Sequence, residues 1–312
     1  MSVFDFKKGL IKLGDGVWAY IQPNGSWGLS NAGLMIDQNK SLLVDTLCDV
    51  NLTNEMLTTM REVTPEAETI DFLINTHDDG EHWFGNEAAK AGKIIATKAC
   101  AKAMAEFTPE TMAVIMKRTS GLANLEKFYL KHFGKFSFDN ITAALPSWTF
   151  EGRMELEVGS KKVELIEVGP CHSAGDLIVH IPHARTVFVG DIMIMGGHQI
   201  MWTGPVANFI KALDLIISLE PTHIVPGHGS VTGTQGALEI KEYWEYYAHE
   251  AGRRYDQGME VFAAAKDIPI GPYAEFHNPE KIVVNVNTLY KEFSNKSDPI
   301  IQEEQFTLIS NW

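Results

Sequence analysis

Between residues 74 and 86 the chain reads INTHDDGEHWFGN, which places His77, Asp78, Asp79, Glu81 and His82 within six positions. Three carboxylates that close repel one another unless positive charge sits among them. The stretch is therefore either a solvated acidic loop or the first half of a metal cage, since imidazole and carboxylate together are a donor set for divalent ions. Further donors fall in similar settings. His172 lies in VGPCHSAGDLIVHIP, Asp191 in VFVGDIM and His228 in IVPGHG, and Asp45 closes SLLVD. In each case an apolar run meets a turn, glycine-rich in three of them. A buried strand fixes direction, and a glycine lets the following side chain project past the sheet edge. Donors delivered from several strand ends can converge on one point, which suits ions that want four to six ligands with little slack.

The elements that must hold these donors follow from periodicity and turn residues. Strands are predicted at 17–21, 32–37, 41–45 and 69–74, then a helix from Asn86 closed by Gly92, then a strand at 93–96. Residues 98–138 combine helix formers, several Met and Phe, and a basic cluster, and read as a helical insertion. Strand signals return at 154–158, 162–168, 176–181 and 186–189, followed by a helix at 206–219 and a strand at 223–225. From 237 to 266, Ile240, Tyr243, Trp244, Tyr247, Ala251, Tyr255, Met259 and Phe262 recur at spacings of three and four, predicting one long amphipathic helix. A shorter helix is predicted at 279–293. The pattern describes an α+β or α/β domain over residues 1–235 and a C-terminal helical extension, 236–312, packed on it.

Composition narrows the function. With 26 basic and 40 acidic residues the net charge is −14, which argues against nucleic acid and against an anionic membrane surface. The opening MSVFDFKKGL lacks the apolar stretch of a signal peptide, and no apolar run is long enough to span a bilayer, so a cytoplasmic location is expected. Cys48, Cys100 and Cys171 have neither a disulfide framework nor metal-finger spacing and are expected as reduced, buried thiols. No Gly-rich phosphate loop is present.

Taken together, Leu43-Val44-Asp45, residues 76–82, residues 169–176, Gly190-Asp191 and Pro226-Gly227-His228-Gly229 resemble, in order, the signatures of the metallo-β-lactamase superfamily. Those are a strand ending in Asp, T-H-x-H-x-D-H, G-P-x-H-(S/T)-x-G-D, G-D and P-G-H-G. The resemblance covers roughly residues 10–235. It implies a four-layer αββα sandwich with two divalent metal ions at one edge of the paired sheets. His77, Asp79 and His172 would hold the first ion, Glu81, His82 and His228 the second, with Asp191 bridging. Asp45 either orients a metal-bound imidazole through its other ring nitrogen or caps a strand-end turn.

Two positions depart from that pattern: Asp79 stands where the family has a histidine, and Glu81 where it has an aspartate. Either one metal position is lost, or both persist with harder oxygen donors. Each replacement is still a competent ligand, which favours the second reading. Zinc leads as the metal, with iron or manganese compatible with so carboxylate-rich a set; a flavodiiron-type branch of the family also carries a carboxylate at the place of Asp79.

The resemblance implies a metal-dependent hydrolase in which a hydroxide held by the two ions attacks the substrate, with Asp191 bridging and Glu81 orienting the nucleophile and relaying its proton. Trp27, Trp83 and Trp202, together with His198 in MIMGGHQIMW, are candidates for a pocket that takes a small apolar or aromatic substrate: an ester, lactone, amide or activated aryl ether. His198 is otherwise a surface-loop residue. The alternatives are a di-iron oxygenase or oxidoreductase on the same cage, and a non-catalytic protein with a relic site. The insertion either caps the pocket or forms an oligomer contact. Tyr243, Trp244 and Tyr247 offer more aromatic surface than one helix face needs, which suggests homo- or hetero-association unless they pack back onto the sandwich. Asp78 is read as a solvated or turn-capping acid, Asp176 as satisfying donors of its own turn, and Cys171 as pointing away from the site.

Overall fold

Near-continuous apolar runs along the central strands give each of two sheets two apolar faces, and that requires a layer on either side of each. The computed structural model describes residues 7–118, 123–294 and 302–312. The first sheet is mixed and runs in the order β1 (Gly9–Gly14), β2 (Val17–Ile21), β3 (Ala32–Asp37), β4 (Lys40–Val44), β5 (Phe72–Ile74), β6 (Lys93–Thr97) and β7 (Trp148–Phe150). The second contains β8 (Arg153–Val158), β9 (Lys161–Glu167), β10 (Leu177–Ile181), β11 (Thr186–Phe188) and β12 (His223–Val225), in the spatial order β12-β11-β10-β9-β8. The helices are α1 (Val50–Val63), α2 (Asn86–Ala89), α3 (Lys98–Glu106), α4 (Pro109–Arg118), α5 (Ala123–Phe133), α6 (Val206–Ser218), α7 (Thr234–Asp256), α8 (Val261–Asp267), α9 (Lys281–Phe293) and α10 (Gln302–Ser310).

Adjacent residues of one strand enter different cores. Leu42 and Val44 of β4 pack with Val163, Leu165 and Val179 between the sheets, whereas Leu43 joins Met56, Leu57 and Met60 of α1 on the outer face. On the far side, Ile178, Val187 and Ile224 pack with Phe209, Leu213 and Ile216 of α6 and with Trp244 of α7. The result is an α+β sandwich with helices outside both sheets, as expected. The parallel pairings set up the site: β4, β5 and β6 run parallel to one another, and β11 runs parallel to β12. Their carboxyl ends therefore face one edge.

The predicted helix over 237–266 is instead two. Gly258, at φ +71°, accepts the left-handed backbone that ends α7, and α8 begins after Glu260. Arg254 then pins the second helix to the first, reaching Glu250 Oε2 at 2.7 Å and Asp267 Oδ2 at 2.9 Å. Tyr243, Trp244 and Tyr247 are wholly buried, with the Trp244 ring tilted against Phe209 at 4.4 Å between ring centroids. They pack back onto the sandwich, so the argument from surplus aromatic surface for association through α7 falls. The insertion forms α3, α4 and α5, with residues 119–122 outside the described part. Strands β1 and β7 and helices α1 and α10 were not expected. All three cysteines are buried and free. Among the described residues no helix is long and apolar enough to cross a membrane.

Trp244→Ala is expected to cost about 3–5 kcal/mol, the penalty of a cavity between α6 and α7, measured by urea unfolding of the full chain.

Candidate metal centre

Five turns at the carboxyl ends of the parallel strands and before β10 converge on one point. Asp45 follows β4 in left-handed backbone, at φ +59°. Its Oδ1 accepts the Thr76 backbone N–H at 2.8 Å, and its Oδ2 accepts both the Thr76 hydroxyl at 2.7 Å and His82 Nδ1 at 3.0 Å. The two sequence readings of Asp45 are therefore both realised: it caps the turn after β5 and it orients an imidazole. Asn31 joins the sheets, its Nδ2 donating to the carbonyls of Pro226 and Gly229 at 2.9 Å each. Gly190 and Gly227 leave space that no other residue can. A Cβ on Gly190, where φ is +51°, would lie 2.7 Å from Thr76 Oγ1, and one on Gly227 would run into Asp191 Oδ1.

The same anchoring logic applies to all four histidines. His82 Nδ1 faces Asp45, His172 Nδ1 faces the Ile200 carbonyl at 3.0 Å, and His228 Nδ1 faces the Leu29 carbonyl at 3.1 Å. His77 Nδ1 lies 3.0 Å from Thr76 Oγ1, whose own proton goes to Asp45. Each acceptor assigns the Nδ1 proton and leaves Nε2 as the ring's free donor atom. These Nε2 atoms point inward. His77 Nε2 is buried with no hydrogen-bond partner, as is Asp191 Oδ1. His82 Nε2 and His228 Nε2 stand 3.4 Å apart, each 3.3 Å from an Asp191 oxygen. His172 Nε2 is 3.1 Å from Asp79 Oδ2.

Two groups result, each with its donor atoms within 4.8 Å of one another: His77, Asp79, His172 and Asp191, and His82, Asp191 and His228. Asp191 belongs to both. Orphaned donor atoms, inward lone pairs and a shared carboxylate are the chemistry of a two-ion site, so the residues fit the expected pair of divalent cations. Glu81 is less deeply placed. Its Oε1 accepts the Gly28 N–H at 3.1 Å and lies 4.0 Å from His228 Nε2, at the rim of the second group rather than within it.

Electrostatics point the same way. Burial opposes the charged forms of His82 and His172, yet Asp191 and Asp45 hold the first well above the ordinary histidine value, and Asp79 and Asp191 carry the second to about 10. Burial likewise opposes ionisation of Asp191, but the imidazoles of His228 and His82 keep its pKa well below the usual range. His77 goes the other way, pushed well down by burial and by the positive charge of His82 and His172. In the metal-free protein, protons on imidazoles supply the positive charge that the carboxylates demand.

Asp78 is not the solvated acid the sequence suggested. Its Oδ1 is buried without a partner, and burial beside Asp79 and Asp176 raises its pKa to about 7. Asp176 does satisfy its own turn, accepting the backbone N–H groups of Cys171 and Ser173 at 3.0 Å.

Above the centre lies an aromatic pocket. Trp27 and Trp202 line it beside Asp79 and Glu81, together with Phe84, residues of the insertion (Phe107, Met112, Tyr129 and Phe133), Phe138, and Phe306 of α10. Trp202 Nε1 donates to Asp79 Oδ2 at 3.0 Å, linking the pocket wall to a ligand. Two expected pocket residues are elsewhere. Trp83 is fully buried in the core, its Nε1 on the Asp78 carbonyl. His198 is neither at the pocket nor on the surface: it is fully buried, its Nδ1 3.1 Å from the Tyr243 hydroxyl, and burial drives its pKa to about 3. Phe306 escaped notice because it sits on a helix that the sequence pattern did not reveal.

Residues 25–228 match the family model of the metallo-beta-lactamase superfamily, and the chain belongs to that family. Among curated proteins no sequence matches. Among solved structures, a metallo-beta-lactamase from Pontibacter korlensis aligns with a TM-score of 0.55 at 15% identity, over 77% of this chain and 99% of its own. The inverting sec-alkylsulfatase Pisa1 from Pseudomonas sp. aligns with a TM-score of 0.65 at 13% identity. That match covers 95% of this chain but 53% of the sulfatase, so it extends beyond the region matched by the family model. At such identities the likeness is one of fold.

Two measurements check the centre. Asp45→Asn is expected to weaken metal affinity about 10–100-fold with the fold retained, read by competition against a chromophoric chelator. Because His172 titrates at about 10, it is protonated at pH 7.5, and metal loading there should release protons. Calorimetry in two buffers of different ionisation enthalpy checks this, the observed heat shifting with the buffer.

Proposed function

We propose that this chain is a metal-dependent hydrolase acting on a small organic substrate with an apolar or aromatic body. The observation that carries the reading is the sharing of Asp191 between a four-donor and a three-donor group, directly beneath an aromatic pocket. Superfamily members are mostly metallohydrolases, and a sec-alkylsulfatase shares the fold across nearly the whole chain, so sulfate esters join esters, lactones, amides and activated aryl ethers as candidate bonds.

His77, Asp79, His172, His82, His228 and the shared Asp191 would hold two ions, which would supply an ionised water near neutral pH and a Lewis acid for the oxygen under attack. The chain's own residues do the rest. Anchoring through Nδ1 fixes the four imidazoles, so little reorganisation is left for the reaction. Glu81, held by the Gly28 N–H at the rim, has a carboxylate between the metal donors and the pocket, where it can take a proton from the attacking water and return it to the leaving group. Trp202 holds Asp79 and presents its ring to the substrate body, and Trp27 and Phe306 complete an apolar sleeve that excludes water. The carboxylates at 79 and 81 make iron or manganese as fitting as zinc, which keeps the di-iron oxidoreductase reading as the rival.

Protein purified without chelator is expected to carry about two divalent ions per chain, counted by plasma mass spectrometry. Zinc or manganese supports hydrolysis; iron with a visible charge-transfer band supports the rival. His172→Ala and Asp191→Ala should each lower turnover of an aryl-ester panel by about 10²–10³-fold or more while circular dichroism stays native. Unchanged turnover in either variant defeats these roles.

A further inference from the structure

The two donor groups are not held from the same place. In the three-donor group, His82 is fixed by Asp45 and His228 by the Leu29 carbonyl, all within residues 25–228. The four-donor group leans instead on the loop at residues 199–202. The Ile200 carbonyl faces His172 Nδ1 at 3.0 Å, and the Trp202 backbone N–H donates to the His172 carbonyl at 2.9 Å. Trp202 Nε1 then reaches Asp79 Oδ2 at 3.0 Å. His172 and Asp79 thus both take their positions from one loop.

That loop is pinned from beyond the segment matched by the family model. Asn285 of α9 accepts the Met201 N–H at 2.8 Å and donates to the Gln199 carbonyl at 2.9 Å. Thr288 of the same helix donates its hydroxyl to the Met201 carbonyl at 2.9 Å, and Gln305 of α10 donates to the Trp202 carbonyl at 3.3 Å. All three side chains are buried, so these bonds satisfy loop groups that have no access to water. Phe306 of α10 backs the indole ring, with 5.3 Å between centroids.

Asp79 needs such support more than the imidazoles do. An imidazole anchored at Nδ1 presents one lone pair, at Nε2, in a fixed direction. A carboxylate turns about a soft torsion and offers about four lone-pair sites on two oxygens. Among the described residues the Asp79 carboxylate has two hydrogen-bonding neighbours, Trp202 Nε1 and His172 Nε2 at 3.1 Å, both on Oδ2. When His172 Nε2 serves an ion, the indole N–H is the neighbour that stays. Indole nitrogen is a donor only, so it orients the carboxylate without competing for the ion. We infer that Trp202 is the positioning residue of the four-donor ion site, and that α9 and α10 set this site's affinity through the 199–202 loop. The three-donor site does not depend on that support. This role requires two ions but no particular reaction, so it is independent of the hydrolase reading.

The test is zinc binding rather than turnover. Competition with a chromophoric chelator resolves the two uptake steps of the metal-depleted full chain, with thermal unfolding recorded for each variant. Trp202→Phe keeps an aromatic ring beside Phe306 and removes the N–H. It should weaken one step by about tenfold or more and leave the other at its wild-type value. In an Asp79→Ala background, where the carboxylate is already gone, Trp202→Phe should change neither step further. Cobalt(II) in place of zinc gives a second readout, since the visible spectrum of one ion should shift in Trp202→Phe and that of the other should not. Thr288→Val removes the hydroxyl from the Met201 carbonyl and should weaken the same step to a smaller extent. It carries the comparison if Trp202→Phe does not fold. Equal weakening of both steps, an undiminished effect of Trp202→Phe in the Asp79→Ala background, or wild-type affinity at both steps overturns the proposal. So does uptake of a single zinc ion by the wild type. Ester turnover, present or absent, bears on the hydrolase reading alone.

Discussion

Charge confinement governs this molecule. Asp79 and Asp191 stand with four imidazoles among donor atoms a few ångströms apart, with Glu81 at the rim and bulk water largely excluded. Like charges so placed repel strongly at low effective dielectric, and a fold holds them together only with compensating positive charge. The raised pKa values of His82 and His172 are that compensation when protons supply it. Divalent ions meet the same demand with charge to spare, and the orphaned atom His77 Nε2 marks where a donor lacks a partner. Much else in the structure can be read as what is needed to keep these groups in place.

Position is kept by backbone rather than by long side chains. Parallel strands β4 and β5 in one sheet and β11 and β12 in the other deliver their turns to a common edge, and a core between the sheets fixes the separation. Across that edge run short polar ties: Asp45 to Thr76 and His82, Asn31 to the turn after β12, and the Leu29 carbonyl to His228. Each satisfies a buried polar group that would otherwise be costly, and those to His82 and His228 also select a tautomer. Stability and ligand geometry are supplied by the same hydrogen bonds.

Around this rigid base, specificity is assembled from segments that differ in origin. Trp27 comes from the loop before β3, Trp202 from the loop after Asp191, Phe133 from the insertion and Phe306 from the last helix. Trp27 packs against Phe128, Trp202 and Phe306 with ring centroids 5.5–6.4 Å apart. The insertion and the C-terminal helices thereby meet over the metal donors. Their apolar lining suits an organic body.

How much of this was legible in the chain follows from how local each feature is. The candidate donors were legible, because strand, glycine turn and donor are contiguous in residues 76–82, Gly190-Asp191 and 226–229; that Glu81 lies at the rim rather than within a donor group was not. A layered α+β or α/β domain was legible for the same reason, since short apolar or alternating strand runs and the helical spacing over 237–256 are local periodicities; the sandwich itself was implied by the resemblance those motifs carry. What depends on distant contacts was not. Three-residue β7 and the edge strand β1 have too little alternation to register, and Gly258 breaks a helix whose apolar spacing continues across it. The fate of an individual side chain was decided last. His198 and Trp83 lie beside the motifs yet turn into the core, whereas Phe306, more than 50 positions beyond the last motif, reaches the pocket. Sequence alone determined which side chains are candidate metal donors and that strand-end turns carry them. Only tertiary packing decided what surrounds them, because burial and neighbours are properties of the whole fold and not of any segment.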